Sequence, residues 1–228
     1  MFDAIGDGRI KAVWIMATNP VVSLPDADAA RKALADCDTV IVSDMFATTD
    51  TARMADIFLP AAGWGEKSGT VTNSERRISR QRAFRPLPGE ARPDWWIICE
   101  IAKRLGFSGF DYSSPAEIFA EHAELSGFEN RGSRDFDISA LADRDYETLA
   151  PAQWPVPRTG RGATRFFGSG GFFTPDGKAR ILPLAPPPPK DRGPGQLIIN
   201  TGRVRDHWHT MTRTGRTPRL SAHSAAPF

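Results

Sequence analysis

The sequence predicts an α/β fold built on a parallel, Rossmann-like sheet. Three observations carry that expectation. Within the first sixty residues, three short apolar runs alternate with helix-forming or cappable segments. The second run, "TVIVS" at 39–43, is β-branched and apolar on both faces, as a strand covered on both sides must be. The chain of 228 residues, 40% hydrophobic and 25% charged, is long enough to bury a sizeable core.

Taken in order, "AVWIM" at 12–16 reads as the first strand, ending in "ATNP", where Pro20 is expected to stop regular structure. "DADAARKALADC" is rich in helix formers, with Asp26 or Asp28 available as the N-cap. After the "TVIVS" strand, "TTDTARMA" reads as a short capped helix and "DIFLP" as a third strand closed by Pro60. Asn19 and the pair Ser43–Asp44 then fall just past the carboxyl ends of two strands. Ligands of open α/β sheets bind in that crevice, although turn formation or helix capping accounts for the same residue types.

The segment at 63–89 has too much Gly, Ser and Thr for a helix and reads as a hairpin. Its arginines Arg76, Arg77, Arg80, Arg82 and Arg85 form a stripe read mostly as a solvated face. "PDWWIICEIAKRLGF" predicts a helix burying Trp95, Ile98, Cys99, Ala102 and Leu105, with Gly106 as its stop. "SPAEIFAEHAEL" predicts another, with Pro115 in its first turn, a capping box between Ser114 and Glu117, and His122 as a structural residue. Loops and short helical pieces fill 127–162, and strands with "PDG"-type turns are expected over 164–184. "APPPPKDRGPG" at 185–195 reads as a stiff spacer. The expected organisation is therefore an α/β portion at 1–184, a linker at 185–195 and a new domain from 196 to 228.

The totals exclude several functions. A net charge of +2 gives no global field for nucleic acid or an anionic membrane. The two cysteines, Cys37 and Cys99, cannot make a four-ligand zinc or iron–sulfur site. No apolar run approaches a membrane span, and no signal peptide opens the chain, so a cytoplasmic-type compartment is expected.

One short stretch concentrates polar chemistry: "NTGRVRDHWHTMTRTGR" at 200–216. His207 and His209, with only Asp206 nearby, make a poor zinc set. Arginines and Trp208 suit nucleic acid, yet no wider basic surface or nucleic-acid motif accompanies them. A small phosphorylated ligand explains the stretch more economically. Thr201, Gly202 and Arg203 combine a hydroxyl, a close-approach amide and a guanidinium fork that matches phosphate oxygens.

With "WIMATNP" at 14–20, "VSDMFATTDTARMADIFLPAAGWGEKSGTVTNSERRISRQR" at 42–82 and "PGEARPDWW" at 88–96, this stretch resembles the molybdopterin oxidoreductases. Within them it is most similar to the catalytic subunit of bacterial assimilatory nitrate reductases. The resemblance covers nearly the whole chain and is strongest over 10–105 and 197–222. It implies a molybdenum bis(molybdopterin guanine dinucleotide) cofactor, reduction of nitrate to nitrite, and electrons supplied through an iron–sulfur cluster by a donor protein or domain. Cofactor contacts would fall on Asn19, Ser43, Asp44, Lys67 and Asp94, and along Thr201, Gly202, Arg203, His207, Trp208, His209 and Thr210. Asp44 would read a guanine or ribose edge. Residues 196–228 would open a double-psi β-barrel domain that binds the dinucleotide.

The departures matter equally. The cysteine cluster and the segment that supplies molybdenum's protein ligand are missing, so no residue here is expected to be catalytic or to bind metal. The chain reads as an internal or C-terminal fragment, inactive alone, with the remainder of the enzyme as its partner. Another molybdopterin oxidoreductase, such as a formate dehydrogenase, shares most of these features. A non-catalytic nucleotide-binding or assembly module is the reading from a different class.

Overall fold

The computed structural model describes residues 1–160, 162–168, 170–188, 193–197, 207–208 and 211–223. The chain divides into two units, Met1–Pro60 together with Pro183–Phe228, and Ala61–Leu182.

In the first unit, helix α1 (Phe2–Gly6) precedes strand β1 (Ala12–Met16), helices α2 (Pro20–Ser23) and α3 (Ala27–Ala35), and strands β2 (Thr39–Asp44) and β3 (Ile57–Pro60). The three strands are parallel in the order β1-β2-β3, with Ile15 opposite Val42 and Val42 opposite Phe58. Ile5, Ile15, Val21, Leu34, Val40 and Val42 form the core that holds α1 and α3 on the sheet. Asp26 is the N-cap of α3, its carboxylate accepting from the Ala29 N–H at 3.0 Å.

Two local expectations change. Pro20 opens helix α2 instead of ending structure, because a proline in the first turn gives up an N–H that has no helical partner. "TTDTARMA" yields one 3-10 turn, Ala52–Met54, with the Thr49 hydroxyl accepting from the Ala52 N–H at 3.1 Å.

The second unit is antiparallel. β4 (Gly69–Thr72) pairs with β5 (Arg77–Gln81), and β5 pairs with the two-residue β6 (Ala152–Gln153). Helices α4 (Asp94–Arg104) and α5 (Pro115–Gly127) complete it. Its core gathers Ile78 of β5, Phe119 and Ala123 of α5, and Ile138, Leu141, Tyr146 and Leu149 from the loop region that follows.

Here too the sequence reading is corrected. α4 buries Ile97, Cys99 and Ala102, whereas Ile98 and Leu105 face solvent. Ser114 makes no side-chain cap, and Glu117 instead reaches the N–H of Ser113 at 2.9 Å. Arg80 is no solvated arginine. Its side chain is 7% exposed, stacks 4.6 Å over the Tyr146 ring and pairs with Glu147 at 2.7 Å. Arg76 turns inward as well, donating to the carbonyls of Trp154 and Thr164, both at 2.8 Å.

No strand forms among the described residues of 164–184, where Phe166, Phe167, Phe172 and Phe173 form a ring cluster instead. The opening of a barrel expected over 196–228 falls in part outside the described residues. Past residue 210 the described chain holds a 3-10 turn, Thr214–Arg216, and helix α6 (Pro218–His223). No described helix is long and apolar enough to cross a membrane.

Candidate functional site

The carboxyl ends of β1 and β2 place the first set of predicted residues together. Parallel pairing aligns Met16 with Ser43, so both strands end at the same level. β1 leaves through Ala17, whose φ of 53 lies in the left-handed region that β-carbons disfavour. This turn brings the chain to Asn19. Ser43 and Asp44 are the last two residues of β2 and are buried, a step earlier than the sequence reading had them.

Each of these side chains is tied down. The Trp14 indole N–H donates to the Ser43 hydroxyl at 2.8 Å. Asn19 Oδ1 accepts from the N–H of Thr51 at 3.2 Å and from its hydroxyl at 2.6 Å. Asn19 Nδ2 in turn points to the Thr212 hydroxyl at 3.5 Å. Asp44 Oδ1 accepts from Arg213 Nη1 at 2.7 Å and from the Phe46 N–H at 3.3 Å. Among the described residues its Oδ2 has only the Thr49 hydroxyl, at 3.5 Å. The charge-assisted bond from Arg213, at 2.7 Å, is the strong member of the set.

The closing side of the crevice comes from the end of the polar stretch at 200–216. Arg213 also lies over the Phe46 ring, 5.5 Å from its centroid. Arg216 donates to the hydroxyl and carbonyl of Thr48 at 2.5 and 2.6 Å. Met211, at φ 61, is a second left-handed non-glycine residue at this rim. His207 is 8% exposed; its Nδ1 is hydrogen-bonded to the Thr214 hydroxyl, and its Nε2 is buried without a partner among the described residues. Trp208 is exposed.

Thr48, Thr49 and Thr51 were not singled out from the sequence, and Arg213 and Arg216 were read there only as arginines able to neutralise phosphates. For the threonines the signal was present in the "TTDT" run that begins four residues after a strand-end aspartate, because short hydroxyl side chains there satisfy strand-end groups. Lys67 and Asp94 belong to the second unit, where they pair with each other at 2.5 Å and are each about one-third exposed. Thr201, Gly202, Arg203, His209 and Thr210 lie outside the described residues.

The donor set of the first unit suits a ligand with a purine edge and phosphates. A buried carboxylate offers two acceptor oxygens, an orphaned imidazole nitrogen awaits a partner, and guanidinium groups lie alongside. These residues fit the nucleotide part of a pterin dinucleotide.

Residues 1–104 match the family model described as molybdopterin oxidoreductase. A nitrate reductase of Klebsiella oxytoca is 55% identical over 233 positions, covering 100% of this chain and 26% of that protein. The alpha subunit of an F420-dependent formate dehydrogenase from Methanocaldococcus jannaschii is 36% identical, covering 100% of this chain and 32% of its own length. Among solved structures, acetylene hydratase from Pelobacter acetylenicus superposes with a TM-score of 0.56 at 24% identity, over 78% of this chain and 23% of that one, which supports the fold. The chain thus spans about a quarter to a third of the length of these relatives, and it belongs to the molybdopterin oxidoreductase family.

Proposed function

We propose that this chain is a cofactor-binding segment of an assimilatory-type nitrate reductase, which reduces nitrate to nitrite in the cytoplasm. The observation that carries the reading is the strand-end constellation of Asn19, Ser43 and Asp44, closed by Arg213 and flanked by the orphaned Nε2 of His207. In this reading Asp44 receives the donor edge of guanine, and Asn19 and Ser43 hold the backbone around it. His207, with Thr201, Gly202, Arg203, Trp208, His209 and Thr210, meets pyrophosphate and pterin oxygens. Lys67 and Asp94 are a separate polar contribution from the second unit. The cofactor, a molybdenum bis(molybdopterin guanine dinucleotide), would supply oxygen-atom transfer chemistry at its metal. The chain's own residues bind and orient it. An iron–sulfur cluster and an electron donor would serve it from elsewhere in the enzyme. The division at 185–195, with a dinucleotide-binding domain beginning at 196, belongs to the same proposal.

Nitrate is preferred to formate as the substrate because identity is 55% to the nitrate reductase against 36% to the formate dehydrogenase. A chimera tests this. The matching quarter of the Klebsiella oxytoca enzyme is replaced by this chain, and nitrite is measured with a reduced viologen as donor. Nitrite formation with normal molybdenum content is expected. A chimera that loads the cofactor and oxidises formate, or makes no nitrite, contradicts the assignment.

A further inference from the structure

The Asp44 carboxylate is 3% exposed, too covered for a base to reach while its present neighbours stay in place. Arg213 pairs with it. The arginine is 41% exposed, holds Oδ1 at 2.7 Å, and sits on a rim that Arg216 fastens separately to Thr48. Among the described residues Oδ2, by contrast, has the long contact from Thr49 at 3.5 Å alone.

We infer that Arg213 is a gate on Asp44: in the free chain it occupies the seat of a base's donor edge, and a base offering two adjacent N–H donors displaces it. This rests on the cofactor reading above and adds a specificity-setting residue to it. Guanine presents its ring N–H and amino group side by side, matching two carboxylate oxygens. Adenine presents one donor beside an acceptor lone pair, which faces a carboxylate unfavourably. A base that cannot replace the guanidinium's charge-assisted bond leaves the gate shut. The closed state lowers apparent affinity by the fraction of molecules that are open.

The test uses the full chain and two nucleosides, guanosine and adenosine, whose lack of charge removes any effect of an arginine on phosphate. Binding is followed by ligand-observed NMR. Arg213→Met is expected to bind guanosine about tenfold more tightly than the parent chain. Arg31→Met, which loses the same charge at an exposed position of α3 away from Asp44, should bind like the parent. Asp44→Asn should erase the preference for guanosine over adenosine. A folded Arg213→Met protein that binds guanosine equally or more weakly, while Asp44→Asn still erases the preference, overturns the gate and leaves the cofactor reading intact. Guanosine binding indifferent to Asp44→Asn overturns both. Should Arg213→Met not fold, the parent chain answers. Salt screens a partly exposed ion pair, so guanosine affinity should rise with KCl, and a flat or falling dependence overturns the gate.

Discussion

Thr51 is fully buried between the two strand ends, where its hydroxyl donates to Asn19 Oδ1 at 2.6 Å and accepts from the Val21 N–H at 3.3 Å. Thr51→Val keeps the shape and strands both partners. A loss of about 1–3 kcal/mol in unfolding free energy is expected, measured by urea denaturation. An unchanged midpoint would mean that Asn19 is held by something other than this hydroxyl. The cysteines make a second residue-scale contrast. Burial pushes the Cys99 thiol's pKa up, which shrinks its thiolate fraction at any given pH, and its side chain is hidden in α4. Cys37 is half-buried at the end of α3. Iodoacetamide at pH 8 should therefore modify Cys37 first, with Cys99 reacting only on unfolding. Mass spectrometry showing Cys99 alkylated first in folded protein would contradict this.

At the scale of elements, legibility followed the regularity of the pattern. β1, β2 and β3 were readable because short apolar runs ended in turn residues, and parallel pairing then fixed where Asn19 and Asp44 had to lie. α4 was readable as a helix but not in its facing. Trp95, Trp96, Ile97 and Ile98 are four consecutive apolar residues, which admit two faces a step apart. Only packing chose the one with Ile97 at 5% exposure and Ile98 at 38%. Ile97→Ala should cost about 2–5 kcal/mol, as large-to-small core changes do. Ile98→Ala should cost well under half as much, and equal losses in thermal or urea unfolding would return α4 to the face read from sequence. The core of the second unit was hidden more deeply. Ile138, Leu141, Tyr146 and Leu149 sit in loops and a single 3-10 turn, so no helical or strand period marks them. Arg80 was misread for a related reason: a run of arginines looks solvated, and only Tyr146 and Glu147, distant in sequence, reveal its burial.

At the scale of the whole molecule, a fold, a local constellation and a family come together. The parallel unit supplies strand ends, and the strand ends supply a carboxylate and an amide held ready by hydroxyl groups. Membership of the molybdopterin oxidoreductases implies a molybdenum–pterin cofactor for the enzyme, and in our proposal the nucleotide part of that cofactor binds at this constellation. Of the proposed site, Asn19, Ser43, Asp44 and His207 were legible in sequence. Arg213 was not, because its role appears only when residues 169 positions apart meet. The central claim is that the crevice at the carboxyl ends of β1 and β2 receives the guanine nucleotide. Its most direct test is amide and side-chain NMR of the isotopically labelled chain titrated with GDP. Shifts at Asn19, Ser43 to Phe46, Thr49, Thr51, Thr201 to Thr210 and Arg213, saturating together, are the expected result. No saturable shifts there, or shifts concentrated instead in the second unit's cavity of about 740 Å³ lined by Phe128, Arg134 and Phe173, would contradict it.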